Sequence, residues 1–282
     1  MPRDAQGNAV SAASDHAARA FDHAVAGYLA YRADTARRLP PMFEADPDFG
    51  MAHVLKGCLF MAPFDAALAP RAREALADAR RCMARGATHR ERAHAAALAA
   101  WSEGEIDRAL AVWEEVLEDH PRDVLAFRLH HYNAFWHGQP ERMLARVERV
   151  LPHWPADLPG WGTVLACRAF ANEECGSYVV AEAAGREALA LDPGDLWAAH
   201  AVAHVMEMQG RAEDGTPQII EYSPAEHSTP VLVITGGRSA VTGAHHDGVP
   251  ARVTAWKNAL LDLTLRNRLL NYTERHGINL AV

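Results

Sequence analysis

The chain has 282 residues, and its 36 acidic residues against 28 lysines and arginines give a net charge of −8. No run of basic residues interrupts this balance, which argues against a nucleic-acid or anionic-membrane surface. The four cysteines have no C-x-x-C spacing, and neither an apolar leader nor an apolar span of membrane length occurs, so we expect a soluble cytoplasmic protein with reduced thiols.

The predicted elements from residue 15 to residue 211 are helices rich in alanine and leucine. Apolar positions recur there at helical spacing, with few β-branched runs. The first of them surround "ADPDFGMAH", where Pro47 predicts the end of a degenerate helix pair. Further along, "IDRALAVWEEVLEDHP" and "VVAEAAGREALALDP" are amphipathic helices that end at prolines. The predicted fold class is therefore all-α.

The punctuation of these helices is periodic. Glycines 104, 138, 176 and 210 are separated by 34, 38 and 34 residues, and the first three are each followed 17 residues later by proline. Glycine permits the tight turn between two helices, and proline prevents the second helix from continuing. A helix, a glycine turn, a helix and a proline stop at this period predict a solenoid of helix pairs similar to tetratricopeptide repeats.

Several longer stretches occur in an order typical of one family. They are "ADPDFGMAH", "RERAHAAALAAWSEG", "HPRDVLAFRLHHYNAFWHG", "RVLPHW" and "WAAHAVAHVMEMQGR". On these stretches, residues 1 to about 211 resemble the N-terminal half of the tetratricopeptide repeat protein 38 family. The resemblance implies an α-helical interaction scaffold with no established reaction and no cofactor. The further helices of that family are absent from this sequence.

After Arg211 the sequence changes in kind. Residues 212–250 are rich in proline and glycine and predict a linker, with a short strand at "VLVITGG" and a hairpin partner at "PQIIEY". Residues 251–282 predict a helix, and "WKNALLDLTLRNRLLNY" resembles the start of a bacterial helicase-associated domain of unknown function. We expect a join between fragments of two genes here. Either the final helix covers the open end of the stack, or that end self-associates.

The repeat register predicts which side chains line the concave surface. The resemblance implies that positions two, five, nine and twelve of each first helix point inward, which in the first unit selects Glu91, His94, Leu98 and Trp101. We predict that this groove binds a protein, a peptide or a small ligand without covalent chemistry, because aromatic area and fixed charges suit a binding surface. The predicted groove-binding residues are Trp101, Arg128, His131, Tyr132, Phe135, Phe170, Glu173, Trp197, His200, His204 and Glu207.

The stretch "HAVAHVMEMQGR" leaves a second interpretation open. His200, His204 and Glu207 lie on one face of a helix, and zinc sites often use two histidines and a carboxylate. The H-E-x-x-H order of metalloproteases is absent, however, and the nearest further ligand is His131. A hydrogen-bonded groove helix without metal is the favoured interpretation. A metal-dependent or acid–base enzyme is the alternative.

Overall fold

The computed structural model describes residues 1–32 and 34–211. This part of the chain contains α-helices and three short 3-10 helices, and it contains no β-sheet. This confirms the all-α prediction, whereas the predicted strands and the final helix lie outside the described residues. The α-helices are α1 (Asp15–Leu29), α2 (Leu39–Ala45), α3 (Gly50–Met61), α4 (Ala69–Met83), α5 (His89–Ser102), α6 (Ile106–Asp119), α7 (Val124–Trp136), α8 (Pro140–Val150), α9 (Trp161–Glu174), α10 (Tyr178–Leu191) and α11 (Leu196–Met208).

The helices stack in pairs, as the periodic punctuation predicts. Each helix from α3 to α10 packs on the next one along the chain, and α3 also contacts α5 while α9 contacts α11. The first helices of these neighbouring pairs therefore lie side by side at both ends of the stack. The described part of the chain is a helical-repeat solenoid, in which each pair completes the core of its neighbours.

The four periodic glycines end the first helices of their pairs by the same hydrogen-bond pattern. Gly104, Gly138, Gly176 and Gly210 have φ angles of +81°, +64°, +77° and +71°. In each case the residue after the glycine donates its N–H to the carbonyl five residues back, at 2.7–2.9 Å, as Glu105 does to Ala100. This is the Schellman arrangement, which needs a left-handed residue and so favours glycine.

The prolines lie between pairs, where they were expected. Pro121 and Pro193 follow the ends of α6 and α10 within two residues. An aspartate two residues after each proline caps the next helix: Asp123 accepts the N–H of Ala126 at 2.9 Å, and Asp195 accepts the N–H groups of the second and third residues of α11. Proline thus stops one helix and aspartate starts the next.

The predicted reduced cysteines are free in the described residues. Cys58, Cys82 and Cys167 are buried, and Cys175 is half-buried. Across residues 1–32 and 34–211, none of the helices combines the length and the apolar character that a bilayer crossing requires.

The first fourteen residues form an arm that crosses the solenoid. Val10 is fully buried in the core, and the Ser11 N–H donates to the Glu91 carboxylate at 2.8 Å. Gln6 reaches the carbonyl of Pro159, in the segment before α9, at 2.8 Å. The arm therefore ties the N-terminus to helix pairs that are distant in sequence.

Candidate functional site

The inner face of the solenoid carries a cluster of rings around Trp197, in the first turn of α11. The Trp197 ring lies 4.4 Å from that of Phe170, and it stacks on His200 at 5.9 Å with 11° between the planes. Tyr31, from the segment after α1, stacks on Trp197 at 5.9 Å and 19°. We call these residues, with three further neighbours, the Trp197 cluster: Tyr31, Arg128, His131, Phe135, Phe170, Trp197 and His200.

Arg128 of α7 supplies the positive charge of this cluster. The residue is 1% exposed, and its guanidinium carbon lies 4.3 Å from the Trp197 ring centre and 5.2 Å from that of Tyr31. Its Nη1 donates to the Cys167 sulfur at 3.4 Å, and its Nη2 donates to the Tyr31 phenol oxygen. In the part of the chain that the structure describes, Nε has no acceptor. No hydrogen bond or ion pair there joins Arg128 to a carboxylate.

His131 lies three residues after Arg128 on α7, and it is a neutral donor in the same cluster. Burial, reinforced by the charge of Arg128, holds the pKa of His131 well below its usual range. Its Nε2 accepts the indole N–H of Trp197 at 3.3 Å, so the ring proton resides on Nδ1. That Nδ1 is buried and has no hydrogen-bond partner among the described residues.

The histidine column predicted on α11 is present, and it extends toward α9. The His200 and His204 rings lie 4.3 Å apart, and His204 Nδ1 lies 3.5 Å from a carboxylate oxygen of Glu173. Glu207, further along α11, is half-buried. Among residues 1–32 and 34–211, no three His, Cys, Asp or Glu side chains come together in a way that could hold a metal ion. His131, the expected further ligand, is hydrogen-bonded to Trp197.

Two of the predicted groove residues belong to a second cluster, built around Phe64. The Phe64 ring stacks on Tyr132 at 5.5 Å and lies 6.2 Å from Trp101 and 5.7 Å from Trp136. Trp101 is 2% exposed and packs edge-on against Trp113, so it forms part of the core. Tyr132 donates its phenol proton to the carbonyl of Ala62, at the end of α3.

Sequence reasoning missed the two aromatic residues that occupy the inner surface, Tyr31 and Phe64. Both have left-handed backbones, with φ of +52° and +55°, and they are the positive-φ residues other than glycine in the described part. This conformation is rare for bulky residues and persists only where the surroundings over-determine it. No local pattern marks either residue. Tyr132 lies 68 positions after its ring partner Phe64, and Trp197 lies 166 positions after Tyr31.

Three inner positions of the first unit are buried instead of lining a groove. Glu91 accepts two hydrogen bonds from Ser11 of the arm, and it also completes a capping box at the start of α5. His94 bonds to Asp123 at 2.8 Å, and Leu98 packs beneath Gly57 of α3. The N-terminal arm and α3 cover this end of the inner face, so the register prediction does not produce an accessible wall there.

Neither of the buried thiols of α3 and α9 is an activated nucleophile. Burial raises the pKa of the Cys58 thiol to about 12 and that of Cys167 to about 11, so both are protonated at neutral pH. The Trp197 cluster therefore offers ring surface, a fixed positive charge and a neutral imidazole donor. No protein-family model matches the chain. The resemblance to tetratricopeptide repeat protein 38 thus stays a prediction.

Proposed function

We propose that this chain is a binding module that holds a ligand on the inner face of its solenoid, at the Trp197 cluster. The observation that carries this proposal is the environment of Arg128, a buried cation enclosed by aromatic rings and bonded to a phenol and a thiol. Large rings and arginine are the residue types that contribute most to binding energy at interfaces. The mechanism is recognition without covalent chemistry.

The electrostatics of Arg128 support a ligand over a purely structural role. A buried charge is costly unless a partner compensates it. The charge of Arg128 acts on the carboxylate of Asp195, whose pKa burial raises even though the arginine opposes this. Asp195 already caps α11 through two backbone N–H groups. Among the described residues no carboxylate bonds to Arg128, and an anionic group would supply that partner.

We further propose that the helix pairs are tetratricopeptide-like repeats of the protein 38 type, serving as an interaction scaffold. The repeated Schellman turns at Gly104, Gly138, Gly176 and Gly210 support this assignment. So does the period of the glycines, which lies close to that of tetratricopeptide repeats. In such a scaffold, the first helices of the pairs present the ligand-binding side chains.

Capture from a lysate of the native cell tests the binding function. The full chain would be immobilised beside two variants, Trp197→Ala and His200→Ala, and beside the outer-surface control Arg108→Ala. Arg108 is exposed, lies on α6, the second helix of its pair, and pairs with Glu105. Retained small molecules and proteins would be identified by mass spectrometry, and circular dichroism would establish that each variant keeps its helicity.

We expect at least one molecule to be retained by the wild type and by Arg108→Ala, and to be lost from Trp197→Ala. His200→Ala, whose side chain is only half-buried, weakens the same retention without disturbing the core. Equal retention by wild type and both cluster variants would remove the proposed function.

A further inference from the structure

We infer that the Trp197 cluster takes an aromatic carboxylate, whose ring lies on Trp197 and whose carboxylate binds the guanidinium of Arg128. This inference rests on the proposed binding function and names the chemical class of its ligand. In the structure, the side chain of Tyr31 occupies this position. The ligand takes its place.

The half-occupied Nε–Nη2 edge of the Arg128 guanidinium is the first observation that carries the inference. Nε and Nη2 lie on one edge of a guanidinium, the edge that carboxylates bind with both oxygens. Elsewhere in this protein, Arg142 uses this edge on Glu114, with Nε to Oε1 at 2.6 Å and Nη2 to Oε2 at 3.0 Å. In Arg128, Nη2 meets the neutral oxygen of Tyr31 and Nε meets no acceptor in the described residues. One phenol oxygen thus fills one of two positions that a carboxylate would fill.

Two other buried polar groups without partners accompany Arg128. The Tyr28 hydroxyl and the His131 Nδ1 are both buried and lack a hydrogen-bond partner in the described part of the chain. The charge of Arg128 acts on the pKa of each of them, which places both in its electrostatic neighbourhood. An acceptor-rich group next to Arg128 is the chemistry that this set lacks.

The geometry of Tyr31 defines the rest of the ligand. Its ring stacks on Trp197 at 5.9 Å, and its single oxygen meets Arg128, so it presents a flat ring with an oxygen at the far end. A benzene ring bearing a carboxylate has the same outline, with a second oxygen and a negative charge added. Tyr31 also holds a left-handed backbone, with φ of +52°, a conformation that is costly for a bulky residue.

The surroundings favour a monoanion with an aromatic body over an inorganic anion. Phe170 and Trp197 supply apolar ring faces beside the guanidinium, which suit a planar ring. The Asp195 carboxylate, whose pKa the charge of Arg128 lowers against the effect of burial, would repel a dianion more strongly than a monoanion. A dianionic phosphate satisfies neither condition.

A calorimetric titration of the full chain with sodium benzoate tests the inference. Benzamide is the matched neutral probe, and cyclohexanecarboxylate is the matched probe without an aromatic ring. We expect benzoate to bind the wild type, and each of the other two compounds to bind at least about tenfold more weakly, because one lacks the charge and the other lacks the stacking ring.

Variants of Tyr31 give the second readout, since they leave the core helices in place. Tyr31→Ala removes the side chain that competes for the site, so benzoate should bind about tenfold more tightly than to the wild type. Tyr31→Phe keeps the stacked ring and loses only the phenol oxygen, so its affinity should fall between the two. Arg128→Met should abolish benzoate binding while retaining helical circular dichroism.

Each possible outcome decides the matter. If Arg128→Met fails to fold, the difference between benzoate and benzamide and the gain in Tyr31→Ala remain decisive in folded protein. Equal binding of benzoate and benzamide, no gain in Tyr31→Ala, or no benzoate binding to either protein would overturn the inference. A lysate ligand that depends on Trp197, found together with absent benzoate binding, would overturn only the ligand class and leave the binding function standing.

Discussion

Two buried arginines of this chain, Arg90 and Arg128, have opposite surroundings. Arg90 is 4% exposed, and its Nη1 and Nη2 contact Asp123 at 2.7 Å and Asp4 at 3.2 Å. Arg128 is 1% exposed, and it contacts a phenol, a thiol and two aromatic rings. Residue type and burial are the same in the two cases, but the compensation of the charge differs.

This difference separates a structural charge from one available to a ligand. The contacts of Arg90 fasten the N-terminal arm to α5 and to the start of α7, because Asp4 belongs to the arm and Asp123 caps α7. Burial alone would raise the pKa of Asp123, but the charges of His94 and Arg90 hold it well below its usual range. Arg128 makes no comparable ion pair with a carboxylate among the described residues. Four experiments, which measure stability after a substitution or as a function of pH, test this contrast between paired and unpaired buried charges.

The largest effect is expected from Arg90→Met. It removes the cation between Asp4 and Asp123 and leaves both carboxylates buried without their partner. Breaking a buried ion pair in this way costs about 3–5 kcal/mol of unfolding free energy. Urea denaturation at pH 7 measures the change. A loss below about 1 kcal/mol would show that the arm network does not hold the fold.

The acid stability of the protein depends on the same network. The pKa of Asp123 is lower in the folded state than its unfolded value near 3.8, so its contribution is complete above that pH and is lost as the pH falls through the folded value. We expect on the order of 2 kcal/mol of unfolding free energy to disappear below pH 4 from this group. Asp123→Asn keeps the helix cap, so it should flatten this part of the pH profile. A variant profile parallel to that of the wild type would contradict the assignment.

Arg128→Met is expected to cost less than half as much as Arg90→Met. The substitution loses the contacts of the guanidinium with Tyr31 and Trp197, worth about 1–2 kcal/mol, but it leaves no partner carboxylate behind and removes a desolvated charge. The net change should stay below about 2 kcal/mol in the same urea experiment. A loss equal to that of Arg90→Met would mean that Arg128 is a structural charge after all.

The smallest effect concerns Asp22, on α1 beside the arm. Burial raises the pKa of Asp22 to about 6, although the Ala5 N–H donates to it. Because the folded pKa lies above the unfolded one, the ionised carboxylate lowers stability at pH 8, and this cost vanishes as the pH falls toward 4. Asp22→Asn should therefore stabilise the protein by about 1 kcal/mol at pH 8, allowing for solvent screening, and by nothing near pH 4. An equal gain at both pH values would exclude ionisation as its cause.

The architecture could be predicted because its determinants are local. A glycine such as Gly138 and a proline such as Pro155 act on the backbone within a few residues, so their spacing alone indicates the helix pairs. The register of those pairs then brought Arg128, Phe170 and Trp197 onto one surface, where the structure places them in contact.

The occupancy of that surface could not be predicted, because it depends on contacts between distant residues. Tyr31 contacts Trp197, which lies 166 residues and four helix pairs further along the chain, and its left-handed backbone is set by packing rather than by a turn motif. The same applies to the arm, where Asp4 pairs with Arg90. Aspartate and arginine are usually surface residues, so the burial of Asp4 and Arg90 becomes evident only in the folded chain.

The most direct test of whether Arg128 binds a ligand is thermal unfolding of the wild type and of Arg128→Met, each with and without excess sodium benzoate. We expect benzoate to raise the unfolding midpoint of the wild type, and to leave that of the folded Arg128→Met variant unchanged. An equal rise in both proteins, or no rise in the wild type, would contradict the assignment of Arg128 to ligand binding.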